Sequence, residues 1–450
     1  MRYELTKETA QRLADEAVRR GASAAEVVMK RRKEFSVSVR LGDVEKVKES
    51  IDQGLGLRVL IDGQQSSVSC SDFSEDAVLQ LVDEAIELAR AASPDESAGL
   101  PEAGELASEF PDLDLYDEEI ERLPTEKKIE LALAAERTAQ DYSKRIINFD
   151  GGGLETASST MILANSLGFA GEYRTTLISL ATVPVAADDQ GRMQRDYWYD
   201  QRRRLRDLAE PEEIGRIAAQ RTLRKLNGRS VPTQTVPVVF DPNMAASLLG
   251  NLFESLSGES IFRRASFMVG QLGEEVASPR LTVVDDGLMK GGLGSRPFDG
   301  EGLPARRTVL IRDGRLESYL LNSYTARKLG LRSTGNAARA LVGAPTVAAG
   351  NLTIAAGAQT PAEIIASVTR GLYLTEMIGQ GVNIVTGDYS RSAGGHWIEN
   401  GELTFPVQGV TVAGNLKEML RGIELIGNDL DFRSSVVAPT LLIGRMTIGA

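Results

Sequence analysis

The sequence predicts an α+β chain in two parts. An N-terminal mixed α/β domain with an antiparallel meander spans 1–228, and a C-terminal domain dominated by antiparallel sheet spans 229–450. Three observations support this. Helical and strand periodicities interleave through the first ~90 residues. Two dipeptides that favour the positive φ angles of type I′ turns, Asp313-Gly314 and Asn400-Gly401, each separate apolar runs in the second half. Asn227-Gly228, followed by Arg-Ser-Val-Pro-Thr, interrupts both periodicities near the middle of the 450 residues.

In chain order, Ala10, Leu13, Ala14, Ala17 and Val18 lie on one face of a helix, and Gly21 suits its stop. Residues 35–41 and 55–61 alternate apolar and polar, broken by Gly42-Asp43 and Asp62-Gly63, as in a meander. Residues 77–89 form a second amphipathic helix. The stretch 95–121 is rich in Pro, Gly and acid, lacks Lys and Arg, and reads as an exposed acidic connection. A helix over 127–140, strands over 145–200 and a helix over 212–226 complete the first part. Arg202, Arg203, Arg204 and Arg206 read as an ion-pair network or a solvated helix start. The second part opens with a strand at 235–240, and Asp241-Pro242 then starts a helix reaching about Leu256.

Composition limits the chemistry. Lys and Arg number 51 against 63 Asp and Glu, a net charge of −12, which excludes direct binding to DNA or anionic membrane through bulk charge. There is one histidine, His396, and one cysteine, Cys70, so no His-rich zinc site, disulfide or CxxC pair can form. Cys70 reads as a small packing residue in a reducing compartment. The N-terminus has no signal-peptide pattern. The uncharged run 340–362 is too rich in Pro, Gly and polar residues to span a membrane, so a cytoplasmic chain is expected.

The remaining candidates are loops. Asp285-Asp286 is an obvious carboxylate pair, but neighbours on a strand point to opposite faces, which favours a strand-end turn. Gly291–Gly302 lacks GK[ST] and reads as a flexible loop through which backbone approaches another chain. The cluster Thr386–His396 offers Asp, Ser, Arg and His together. A turn held by Asp388 and Ser390 is favoured there over a Ser390–His396 catalytic pair, because no nucleophile motif surrounds Ser390.

Five segments, in order, resemble the TldD/PmbA family, long called modulators of DNA gyrase: GLGLRVLIDGQQSSVSCSDFS, VVFDPNMAASLLGNLFESLSGESI, LGEEVASPRLTVVDDG, the stretch Gly291–Arg339, and Gly381–Leu420. The resemblance implies a cytosolic metallopeptidase acting on peptides or unfolded proteins. It is built from a zinc-binding subunit with HExxxH on a helix and a PmbA/TldE-type subunit without it. The zinc helix corresponds to about 249–258, here LGNLFESLSG with no His, and the C-terminal tail lacks the ligand cysteine. The resemblance therefore implies the non-catalytic subunit, with zinc only in its TldD-type partner. A two-lobed chain built to pair leaves both a homodimer of the isolated chain and a heterodimer open. Gly294, Arg296, Asp299, Gly300, Thr386, Asp388, Ser390 and Arg391 are expected to line a peptide cavity or face the partner, with an internal Arg296–Asp299 ion pair as the alternative for those two. The competing expectation is a non-enzymatic binding protein that modulates gyrase or another protein target.

Overall fold

The structure, a computed structural model, describes residues 3–450. The fold is α+β. Helix α1 (Lys7–Arg19) starts where the Thr6 side chain accepts the Thr9 N–H, and it buries Ala10, Leu13, Ala14 and Ala17. Strands β1 (Ala24–Arg40), β2 (Asp43–Ile61) and β3 (Gln64–Cys70) form the meander. Its turns, Leu41-Gly42 and Asp62-Gly63, hold φ of 53° and 85°, and of 49° and 82°. Both long strands extend well beyond the predicted stretches. Residues 30–34 and 43–53 are mostly charged and partly or fully exposed, so their pairing leaves no apolar alternation to read. Helix α2 (Glu75–Ala91) follows, then α3 (Glu118–Arg122), α4 (Thr125–Tyr142), β4 (Ile146–Asn165), β5 (Ala170–Ala187), β6 (Met193–Arg195), β7 (Trp198–Arg202) and α5 (Pro211–Leu223). One sheet runs β3-β2-β1-β4-β5-β6, with β7 also on β5.

Strand alternation gives this sheet two unlike faces. Val27 and Met29 of β1 pack under α1 and α2, and Phe35 and Val37 pack with Ala132, Ala135 and Ile214 of α4 and α5. The opposite face carries Glu26, Val28, Lys30 and Arg32 and meets the second half of the chain. Val28 packs there with Phe169 and Phe298. On β2, Gly56 lies opposite Val28. A Cβ at Gly56 would sit 1.9 Å from the Leu341 carbonyl oxygen, so the loop at 339–343 rests directly on bare backbone. Gly56→Val is expected to cost about 1–3 kcal/mol by forcing that loop off the sheet. An unchanged urea midpoint would refute the contact.

The acidic stretch 95–121 is not a free connection. Pro101, Leu113, Leu115 and Ile120 are buried, and backbone bonds tie it to both halves: Ala107 N–H to Gly302 O, Gly291 N–H to Leu113 O and Thr176 N–H to Leu115 O. Its acids are also used. Asp95 meets Lys328, and Asp114 meets Arg204. Composition pointed to solvent, but scattered buried and bonded residues anchor the segment as a strap.

The second half contains β8 (Gln234–Phe240), α6 (Pro242–Leu256), α7 (Gly258–Phe262), β9 (Val283–Asp286), β10 (Arg307–Arg312), β11 (Arg315–Leu316), α8 (Ser323–Leu329), β12 (Ala337–Ala338), β13 (Thr346–Val347), β14 (Leu352–Ile354) and α9 (Pro361–Ala366). Then come β15 (Arg370–Ile378), β16 (Asp388–Glu399), β17 (Glu402–Asn415), α10 (Leu416–Arg421), β18 (Ile423–Ile426), β19 (Val436–Val437) and β20 (Leu441–Gly449). One sheet runs β17-β16-β15-β8-β20-β18, and an additional β17–β20 pairing closes it on itself. Its interior residues, among them Phe240, Leu372, Leu374, Val412 and Ile443, share a core with Ala245, Leu248 and Leu252 of α6. A second sheet runs β11-β10-β9-β14-β19. Both predicted hairpin turns have positive φ at both residues: 48° and 83° at Asp313-Gly314, and 52° and 81° at Asn400-Gly401. Among the described residues no helix is long and apolar enough to cross a membrane.

Candidate functional site

Helix α6 contains most of the segment 249–258 that the sequence resemblance singled out as the counterpart of a zinc helix. The sequence starts it cleanly: Asp241 accepts the Met244 N–H at 2.9 Å and Pro242 occupies the first turn. Leu248, Leu249 and Leu252 bury one face. The other face presents Ser247, Gly250, Asn251 and Glu254, and a Cβ at Gly250 would meet nothing within 4 Å. Arg391 of β16 reaches this face and donates to Ser247 Oγ at 2.8 Å. The donor set does not fit a zinc ion. Glu254 is the only acid on the helix, and among the described residues no three His, Cys, Asp or Glu side chains group as metal ligands would.

Most of the segment Thr386–His396 is a strand rather than the expected turn: Thr386 closes a turn, and from Asp388 to His396 the chain is part of β16, which pairs with β17. Asp388 is exposed and accepts from Thr386 Oγ1 at 2.6 Å and from Asn415 Nδ2 at 3.3 Å. Exposed Ser390 donates its N–H to the Gly381 carbonyl. His396 lies six residues further along the same strand, roughly 20 Å away at strand rise. It is buried, and its Nε2 meets the Arg224 carbonyl at 3.0 Å. Burial, together with Arg224 and Arg221, pushes its pKa down to about 4, so it is neutral and structural. Ser390 and His396 form no catalytic pair.

The Gly-rich segment also differs from expectation. Residues 295 and 297–303 are almost wholly buried at the seam between the halves, so 291–302 is no flexible loop. Phe298 anchors it, with its ring 5.2 Å from those of Phe169 and Tyr173. Asp299 does not pair with Arg296. Its carboxylate accepts the N–H groups of Glu301, Leu303 and Ala337, and Arg296 donates to the Ala348 carbonyl at 3.2 Å. Gly294 is required by close approach, since a Cβ there would lie 2.0 Å from the Gly350 carbonyl oxygen. Gly294, Arg296 and Gly300 line a cleft of about 490 Å³ between the β1-β4-β5 surface and the second half. Thr386, Asp388, Ser390 and Arg391 do not reach it. The structure therefore splits the eight candidates into two separate places.

Asp285 and Asp286 part as alternation requires. Asp285 is buried and accepts from Asn336 and Gly350, whereas Asp286 accepts the Leu288 N–H in a turn. The Cys70 thiol donates to the Asp72 carbonyl, and burial pushes its pKa up, away from nucleophilic character.

Sequence reading missed the groups that join the halves. Glu26 lies between Arg58 at 2.6 Å and Arg339 at 3.2 Å, all with side chains at most 4% exposed. Arg203 is not part of an ion-pair network like its neighbours. It donates to the carbonyls of Thr176 and Leu293, and burial lowers its pKa to about 10. The one available signal was a charged residue at an inward strand position, Glu26 between Ala25 and Val27.

Comparison with known proteins places this architecture. Residues 25–89, 118–226 and 233–450 match domain 1, the central domain and the C-terminal domain of the PmbA/TldA metallopeptidases. The chain is 38% identical over 427 residues to metalloprotease PmbA of Escherichia coli O157:H7, covering 95% of this chain and 92% of that one. A solved structure from Bacteroides thetaiotaomicron, named for modulation of DNA gyrase, superposes with a TM-score of 0.92 at 28% identity, covering 99% and 98% of the two chains. TldE from Thermococcus kodakarensis shares the fold, with a TM-score of 0.88 at 22% identity and coverage of 98% and 99%. Continuous similarity across all three domains, in sequence and in fold, shows that the chain belongs to the PmbA/TldD metallopeptidase family.

Proposed function

We propose that this chain is the non-catalytic, PmbA/TldE-type subunit of a cytoplasmic zinc metallopeptidase that cleaves peptides or unfolded proteins. The zinc would be held by a TldD-type partner bearing HExxxH. One observation carries the reading: the α6 face where that motif would sit presents Ser247, Gly250, Asn251 and Glu254. Three of these four cannot serve as ordinary zinc ligands, and the fourth is a lone carboxylate. Arg391 against Ser247 fills part of the same face with a cation, which opposes a divalent ion.

The test is reconstitution. The purified chain is expected to carry no stoichiometric zinc by elemental analysis and to cleave no peptide. Mixed with a HExxxH-bearing relative, it should raise peptidase activity that a chelator abolishes. Cleavage by this chain alone that survives a chelator would sink the proposal. The −12 charge also suits a protein target, so a second reading is a binding protein for gyrase or another protein. Capture of purified gyrase by this chain, without the metallopeptidase relative, would favour that reading.

A further inference from the structure

The cleft at the seam is charged against the grain of the chain. Six Lys and Arg residues line it: Lys30, Arg31 and Arg32 from β1, Arg203 after β7, Arg296 from the Gly-rich segment, and Arg339 beside β12. No Asp or Glu lines it, although the whole chain carries −12. Part of this charge is already spent. Arg203 is held by backbone carbonyls, the Lys30 ammonium by the Arg339 carbonyl, and Arg339 by Glu26. Part of it is not. Nε and Nη2 of Arg339, whose side chain is 0% exposed, and Nε of Arg296 have no hydrogen-bond partner. Buried guanidinium groups left short of acceptors are costly, and a low-dielectric wall of one sign concentrates field in the space it encloses. Neutral donors stand beside them. The hydroxyls of Ser159, Thr160 and Thr175 belong to lining residues, and Tyr173 lies in the field of Arg296 and Arg203. Of the carboxylates nearby, Glu26 is paired with Arg339 and Arg58 and Glu34 with Arg32, while Asp299 and Glu301 are buried and committed to backbone N–H groups.

We propose that this cleft is an anion-binding site, taking the carboxylate or phosphate group of a small molecule or peptide end between Arg296, Lys30 and the hydroxyl of Tyr173. A planar guanidinium and an ammonium, which only donate, beside a phenol that can donate its O–H, provide the recognition chemistry of an oxyanion. No residue of α6 lines the cleft, so the proposal is independent of the zinc assignment.

Titration calorimetry on the full-length chain at low ionic strength tests it. The probes are inorganic phosphate, a tripeptide with a free C-terminal carboxylate, and the same tripeptide amidated. Phosphate or the free-acid peptide is expected to bind, the amide is not, and added salt should weaken binding. Arg296→Gln should weaken it about tenfold or more, as loss of a charge-assisted bond implies. Tyr173→Phe, which keeps the ring packed on Phe298, should weaken it several-fold and decides the matter if the arginine variant fails to fold. Arg206→Gln, on the exposed surface, should leave it unchanged. Binding of phosphate alone assigns a phosphate ligand, and binding of the free-acid peptide alone assigns a peptide end. Binding of neither overturns the proposal, as does an equal loss in Arg206→Gln and Arg296→Gln.

Discussion

Replacing Glu26 by Ala is expected to cost about 3–5 kcal/mol, because it strands two buried guanidiniums without their shared carboxylate. Arg58 has one other side-chain partner, Gln65, and two nitrogens of Arg339 already lack partners. Burial pushes the Glu26 carboxyl up, but Arg339 and Arg58 outweigh it and hold it below the usual carboxylate range. A depressed carboxylate contributes stability above its unfolded pKa and loses it as pH falls, so the penalty should be full at pH 7 and shrink in acid. The triad joins β1 and β2 to the loop after β12. Urea unfolding should therefore shift in both halves, read by the two tryptophans, Trp198 and Trp397, one in each half. Replacing all three charges by apolar residues of similar volume should recover most of the loss. A Glu26→Ala cost below about 1 kcal/mol would mean that water already screens these charges.

The second large effect concerns pH, where two buried groups act with opposite sign. Burial, then Asp299, raises Glu301 to about 7, and burial, then Arg224, lowers His396 to about 4. Glu301 binds a proton more tightly folded than unfolded. Its contribution is complete below pH ~4.5 and is lost as pH rises to about 7, on the order of 3 kcal/mol. His396 binds a proton less tightly folded than unfolded. Its contribution is complete above pH ~6.5 and is lost as pH falls to about 4, by a similar amount. In the native chain the two slopes largely cancel between pH 4.5 and 6.5. Glu301→Gln keeps an acceptor for the Ser323 N–H and should unmask stability that rises with pH. His396→Leu should unmask stability that falls with pH. Urea midpoints at pH 5 and 7 separate the cases, and two variants with the same slope would contradict both assignments.

Several features were legible because they are local. Gly21 after α1, Asp241-Pro242 before α6, and the Asp-Gly and Asn-Gly turns each act through their own backbone, so one sequence displays them. Apolar faces at 3.6 spacing were legible for the same reason. The charged halves of β1 and β2 were not, since a solvent-facing strand satisfies its backbone through a partner, and that partner is far away in the chain. The packing of Leu341 against Gly54 and Gly56 is likewise non-local, and only the tertiary structure shows why side chains are absent there.

The candidate site divides along the same line. The absence of a zinc-ligand set on α6 follows from residue identity alone, because one histidine in 450 residues cannot supply it. Position is another matter. Segment 291–302 and strand β16 both looked like exposed polar loops. Tertiary structure buried the first around Phe298 and extended the second along β17, since glycines permit close backbone approach as readily as they permit mobility. By itself the sequence determined the fold class, the local turns and caps, and the missing zinc ligands, all matters of composition and short-range geometry. Only the tertiary structure decided where charge collects, because the six cations of the cleft come from segments up to 309 residues apart and no local pattern records that they converge.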